Sequence, residues 1–362
     1  MATALTPDII RAAPKVLLHD HLDGGLRPQT ILELARDSGY DLPTDDPEEL
    51  RRWFIADTPG GDLVTYLRGF AHTTAVMQTP DQIARVAAEC ALDLARDGVV
   101  YAEVRFAPEL HLQRGMTMEG AARAALEGFA AGSRDAAAEG RPIVVRTLLS
   151  AMRQAHVSTA VARVAVALRD EGVAGFDIAG PEDGFPPTDH LEAFEIIQRE
   201  NFHLTIHAGE AFGLPSIWEA IQFCHAERLG HGVRIVDDLT RDGDTWRLGR
   251  LAQFVRDRRI PLEVCPTSNV HTGIASSVAT HPIERLRQLR FRVTVNTDNR
   301  LMSGISLSSE FAAGAQAFGW TLEDMEWMTV NAAKSTFYAF DERLDLINRV
   351  IKPGFAALRS AQ

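Results

Sequence analysis

Apolar residues along this chain gather into eight short runs, each closed by a polar or glycine-bearing stretch. They cover residues 15–18, 99–106, 144–149, 173–178, 203–206, 228–232, 261–264 and 292–295. Runs of this length, bounded by Gly, Pro or Asn, predict buried strands. Between nearly all of them the apolar positions recur every three or four residues, which predicts helices. The clearest helix starts at Thr79-Pro80-Asp81-Gln82. Thr79 can cap, Pro80 suits the first helical position, and Gln82 completes a capping box. Ile83, Val86, Ala87, Cys90 and Leu94 mark its apolar face, and Asp97-Gly98 ends it. Residues 30–38 and 121–139 are also helix-like, whereas the acidic, proline-bearing residues 41–50 read as a solvated loop. Leu63, Tyr66, Leu67 and Phe70 share one helical face, read as a core stripe with a ligand-facing wall as the alternative.

Strands alternating with helices predict parallel βα units, and eight such units close a barrel. The expected fold is therefore α/β: a (β/α)8 TIM barrel with a helical insertion after the first strand, at residues 24–98. No linker, low-complexity tract or repeat divides the chain, so residues 1–362 are expected to form one domain.

Polar residues concentrate where the strands end. His19, His21 and Asp23 lie two apart, a spacing that puts side chains on one face of a strand. Gly180 follows the fourth strand, His207 and Glu210 the fifth, His231 the sixth, and Asp298 and Asn299 the eighth. Taken singly, His207 reads as a core histidine, Asp298 as a helix cap and Glu210 as a first-turn glutamate. In a barrel, however, the C-terminal ends of all strands meet at one mouth, where active sites lie. Three histidines and an aspartate from strands one, five and eight then suit a divalent metal. Their nitrogen-rich character favours zinc over magnesium or calcium, with iron, cobalt and nickel as alternatives. Glu263, Ser268 and Arg153 also lie at strand ends, where they can orient ligands. The remaining histidines, His281 among them, read as ordinary.

Composition narrows the function classes. Hydrophobic residues make up 46% and charged residues 24%, ordinary for a water-soluble globular chain. The net charge of −12, without basic clusters, argues against a nucleic-acid partner and favours a neutral substrate. No apolar run reaches the ~20 residues of a membrane helix. The first eight residues lack the cationic start and apolar run of a signal peptide. Three widely spaced cysteines, Cys90, Cys224 and Cys265, do not resemble a disulfide framework. A cytoplasmic protein is expected.

The segments His19–Gly24, Gly175–Glu182, Thr205–Glu210, Arg228–Gly232, Val264–Asn269 and Asn296–Asp298 together resemble the adenosine deaminase family of the metal-dependent amidohydrolase superfamily. Tyr101–Phe106 and Asn331–Phe337 are also similar to family segments. The resemblance implies a (β/α)8 barrel holding one zinc ion per chain through His19, His21, His207 and Asp298. It implies a hydrolase that converts adenosine and 2′-deoxyadenosine to inosine and 2′-deoxyinosine with release of ammonia. Glu210 would act on N1 of the purine, and His231 would take a proton from the attacking water or stabilise it as hydroxide. Asp298 would also orient that water. His21, Asp23, Gly180 and Asn299 would meet the nucleoside, with Asp23 on the ribose and the Gly180 N–H at N3. The chain departs from the family at Asn299, where many members carry a second aspartate; an amide donates to N7 at any pH. The resemblance also implies that a helix near Phe70 closes over the substrate. Deaminases of adenine, methylthioadenosine or futalosine-type nucleosides are the nearest alternatives. A catalytically dead binding barrel would have lost a ligand, Glu210 or His231, and none is lost. A two-metal hydrolase of cyclic amides would want a bridging lysine at the barrel mouth, where none occurs. The Cys-x-x-Cys of the editing-type zinc deaminases is absent from the sequence.

Overall fold

All eight expected strands form in the computed structural model, which describes residues 5–57 and 67–360. They are β1 (Lys15–His21), β2 (Val99–Phe106), β3 (Val144–Met152), β4 (Val173–Ala179), β5 (His203–Ala208), β6 (Arg228–His231), β7 (Pro261–Val264) and β8 (Arg292–Val295). They line up in chain order in one sheet, and each neighbouring pair is parallel. The sheet closes where β8 returns to β1. Asp20 and Asp298 form a parallel bridge; the His21 N–H donates to Asp298 O at 2.8 Å, and the Asp298 N–H to His19 O at 2.9 Å. The side-chain carbonyl of Asn296 takes the N–H of Leu18 at 2.9 Å. Closure thus depends on backbone from the same residues that were expected to carry the chemistry. It requires β1 to run three residues beyond the apolar segment, through His21.

The insertion between β1 and β2 is helical, as expected. Thr79 makes its capping box with Gln82, and helix Pro80–Arg96 ends at Asp97. One element departs from expectation. Residues 41–50 are not all loop, because helix Pro47–Asp57 begins inside them. Asp46 Oδ1 accepts the N–H of Glu49 at 2.8 Å, and Pro47 opens the helix. Acidic residues and a proline here are a start signal, not only solvated charge. A hairpin, Leu239–Asp242 with Thr245–Leu248, also lies between β6 and β7. The two residues that join its strands, Gly243-Asp244, are a short-range hairpin cue. Of the apolar stripe, Leu63 and Tyr66 fall outside the described residues. Phe70 opens the short helix Phe70–Ala75 and lines the central cavity, in keeping with the ligand-facing alternative.

Outside the barrel, helix Pro80–Arg96 packs against helix Met118–Ala138 with almost no side-chain spacing. A Cβ on Gly128 would overlap the carbonyl oxygen of Ala84, and one on Gly132 that of Ala88. These clashes are with backbone, which cannot swing aside. Gly132→Leu should therefore destabilise the fold by about 1–3 kcal/mol, the usual range for overpacking a core contact. Urea unfolding measures this, and an unchanged midpoint would show that the helices separate freely.

Candidate active site

The barrel mouth places His19 and His21 (β1), His207 (β5), His231 (β6) and Asp298 (after β8) around one point. The donor atoms of His19, His207, His231 and Asp298 all lie within 4.8 Å of one another, and all four residues are buried. His21 adjoins them: its Nε2 is 3.2 Å from His207 Nε2 and 3.4 Å from Asp298 Oδ1. The four-residue cluster thus includes His231, which the sequence reading set beside the metal, while His21, which it made a ligand, stands next to the cluster.

Hydrogen bonding around the rings shows where their lone pairs point. Nδ1 of His19 lies 2.9 Å from Glu263 Oε2, and Nδ1 of His207 lies 3.0 Å from Asp177 Oδ1. Burial would raise both carboxyls. Arg105 and Arg228 hold Glu263 well below the usual range, and His207 and Arg105 do the same for Asp177. Both are therefore carboxylates, which only accept, so each Nδ1 carries the hydrogen. The Nε2 lone pairs of His19 and His207 then face inward. His19 Nε2 is buried without a hydrogen-bond partner, 3.3 Å from Asp298 Oδ1, so acceptor meets acceptor. A cation among these atoms removes that repulsion. Imidazole nitrogen with one carboxylate oxygen is a donor set suited to zinc. The residues present therefore fit a zinc ion.

The supporting groups expected at strand ends are in place. Ser268 Oγ donates to Asp298 Oδ2 at 2.5 Å, Glu263 holds His19, and Arg153 donates to the backbone oxygen of His207. Sequence reasoning missed Asp177, although it lies in the Gly175–Glu182 segment. Alternation along β4 could have found it, as a carboxylate inside an apolar strand. It also missed Glu182. This buried carboxylate accepts the N–H groups of Gly209 (2.5 Å), Glu210 (2.9 Å) and Phe212 (2.9 Å), fixing the loop that carries Glu210.

Above these residues is a cavity of about 270 Å³. His21, Asp23, Gly180 and Asn299 all line it, as do Glu210 and His231. Glu210 is 4% exposed; burial and the nearby Asp298 and Glu182 carboxylates push it well above the usual range, which favours its protonated form. Its Oε1 takes a hydrogen bond from Thr272 at 3.1 Å. Burial also pushes Asp23 up to about 7. Asp23 Oδ1 is buried without a partner, the condition of a group that a ligand would satisfy, whereas the unpartnered Asn299 Oδ1 lies against Gly24. The Asn299 side chain lies where a Cβ on Gly24 would be, which explains the glycine there. Gly180 has φ +102°, a conformation that glycine adopts without strain.

Comparison with known proteins places these features in context. A family model described as adenosine deaminase matches residues 14–353. "Adenosine deaminase 1" of Streptomyces coelicolor is 62% identical, covering 98% of this chain and 90% of that one. Among solved structures, the adenine deaminase of Arthrobacter aurescens superposes with a TM-score of 0.80 at 25% identity, covering 94% of this chain and 98% of that one. An amidohydrolase from Burkholderia ambifaria with bound zinc gives 0.83 at 24% identity, covering 99% and 98%.

Replacing Asp177 by Asn removes the charge behind His207 while keeping its size. Zinc affinity should fall by about tenfold to a hundredfold, as for other outer partners of metal-bound histidines. Metal content after dialysis against graded chelator reads this directly. Retention equal to wild type would mean that Asp177 does not support a ligand.

Proposed function

The chain belongs to the adenosine deaminase family, and from that premise we propose that it is a zinc-dependent hydrolase that deaminates adenosine and 2′-deoxyadenosine to inosine and 2′-deoxyinosine. The observation that carries the reading is a buried glutamate, Glu210, at the rim of a metal-fitting histidine cluster, opening on a cavity with unpartnered polar atoms. His19, His21, His207 and Asp298 hold the metal in this reading. A zinc ion bound there would make water acidic enough to serve as a nucleophile at neutral pH.

The chain's own residues do the rest. Glu210 gives a proton to N1, so that C6 can accept the incoming oxygen. In the balance, the water oxygen becomes the C6 carbonyl, one of its hydrogens ends on N1 and the other leaves with ammonia. His231 stands beside Glu210, with Nε2 3.4 Å from Glu210 Oε2. The Gly180 N–H binds N3, and the Asn299 amide donates to N7. Asp23 takes a ribose hydroxyl, which supports a nucleoside substrate over a free base. Phe70 covers the apolar side of the cavity.

Zinc-loaded protein incubated with adenosine should lose absorbance near the purine maximum. Adenine and methylthioadenosine should be poorer substrates, and no turnover of any of them would end the deaminase reading. Glu210→Gln cannot release a proton to N1, and kcat should fall by about 10²–10⁴-fold with KM little changed. For wild type, activity should decline on the alkaline side as Glu210 loses its proton, because only the protonated form donates. A Gln variant with wild-type rate would remove Glu210 from the mechanism.

Asn299 makes a separate prediction. Wild type should discriminate against 7-deazaadenosine, which lacks the N7 acceptor. Asn299→Asp should remain active, whereas Asn299→Leu should lose about tenfold in kcat/KM toward adenosine and no longer discriminate. Undiminished discrimination in the Leu variant would show that Asn299 does not read N7.

A further inference from the structure

Behind His231 runs a buried chain of hydrogen bonds that the mechanism above does not use. His231 Nδ1 lies 3.0 Å from Asn269 Nδ2. Asn269 Oδ1 lies 3.2 Å from His281 Nε2, and His281 Nδ1 lies 3.1 Å from the backbone nitrogen of Ile283. His231, Asn269 and His281 are all at most 3% exposed. Nothing in the cavity touches Asn269 or His281.

The chain has one consistent direction, and its origin is the backbone. An N–H can only donate, so Ile283 requires His281 Nδ1 to be the acceptor. Burial keeps the His281 ring neutral, with its pKa lowered to about 3. Its one hydrogen is therefore on Nε2 and is donated to an oxygen. That fixes the Asn269 amide with Oδ1 toward His281 and NH2 toward His231. His231 Nδ1 must then accept, and its hydrogen sits on Nε2, the nitrogen that faces Glu210 and the metal-fitting cluster. The other tautomer would set Nδ1–H against the amide N–H at 3.0 Å, between fully buried side chains.

We propose that Asn269 and His281 are positioning residues of the reaction: they hold His231 in the Nε2–H tautomer, so that it donates a hydrogen bond to the oxygen arriving at C6. The inference rests on the deaminase reading for the identity of that oxygen. Two consequences follow from the tautomer. His231 offers the oxygen a hydrogen, not a lone pair, which selects stabilisation over proton removal. And His231 Nε2 has no free lone pair for a metal, which leaves the coordinating role to His21.

Nitrogen NMR of the zinc-loaded protein with ¹⁵N-labelled histidine tests the tautomer without any turnover. The His231 resonances, assigned by their loss in His231→Ala, should show a protonated Nε2 and an unprotonated Nδ1. Asn269→Asp presents a carboxylate, which only accepts, and should move the hydrogen to Nδ1. The same variant should lose about 10²–10³-fold in kcat, as when a donor to a developing oxyanion is removed, with KM and zinc content near wild type. His281→Leu leaves the Asn269 amide free to turn and should lower kcat. His281→Gln, which offers one donor and one acceptor as histidine does, should recover most of that loss. An Nδ1–H tautomer in wild type would overturn the proposal, as would unchanged kcat in both Asn269→Asp and His281→Leu. Absence of adenosine turnover in wild type would instead count against the deaminase reading, because the spectra report the tautomer with no substrate present.

Discussion

The centre of the molecule is a carboxylate that cannot be allowed to lose its partners. Glu263 on β7 is fully buried and engages two buried arginines, Arg105 and Arg228. Arg228 Nε approaches Oε1 at 2.7 Å, and Arg105 Nη2 approaches Oε2 at 2.8 Å. Glu103 takes the other side of Arg228 at 2.6 Å, and Asp177 that of Arg105 at 3.3 Å. Each of these charges would be costly alone in such a place; here each one faces a charge of opposite sign. Thr205 Oγ1, at 3.0 Å from Glu263 Oε1, adds a neutral donor. The ladder crosses the barrel from the β2 carboxylate to the metal-facing imidazoles. It ends on His19 through Glu263 and on His207 through Asp177. A hydrophobic core of equal volume would hold the strands as well, but it would leave both rings free to choose a tautomer.

The same economy of parts appears where the barrel closes. Asp298 gives its backbone to β1 and its carboxylate to the histidines, so an error in strand register would also dismantle the site. Its φ of +59° and that of His231, +61°, lie in the left-handed region, which non-glycine residues seldom occupy. Two such residues facing one centre indicate that side-chain aim was kept at the expense of backbone comfort. Ser268 and Asn269, on the short helix Pro266–His271 after β7, then secure the two side chains from behind.

Local patterns in the sequence were enough for the barrel and for the residues that face its cavity. Short apolar runs and glycine-marked ends locate strands because the physics behind them is local. The eight site residues after strands one, four, five and eight, with His231 after strand six, were legible because the fold gathers strand ends. Asp177, Glu182 and Arg105 were not, since their roles depend on which strands stand side by side. His281 is the sharpest case. By spacing it is an unremarkable histidine before a proline. Only the tertiary fold reveals that Asn269 connects it with His231. Helix Pro47–Asp57 was obscured for a different reason: an acidic, proline-bearing stretch serves equally as a loop and as a helix start.

The site finally depends on giving opposite protonation to acids that share one buried environment. Burial raises every carboxyl here, so location alone cannot separate them. Positive charge around Asp298, on His19, His231 and His21 where they are protonated or on a cation in their midst, holds it well below the usual range despite burial. Glu210 has Asp298 and Glu182 nearby and is pushed the other way. The ionised Asp298 thus helps to keep Glu210 protonated, and the loop amides on Glu182 stabilise that carboxylate's charge. Acid–base chemistry at neutral pH calls for such a divided pair. In the proposed reaction one carboxylate lies beneath the substrate to hold a cation, and one carboxylic acid lies beside it to give up a proton.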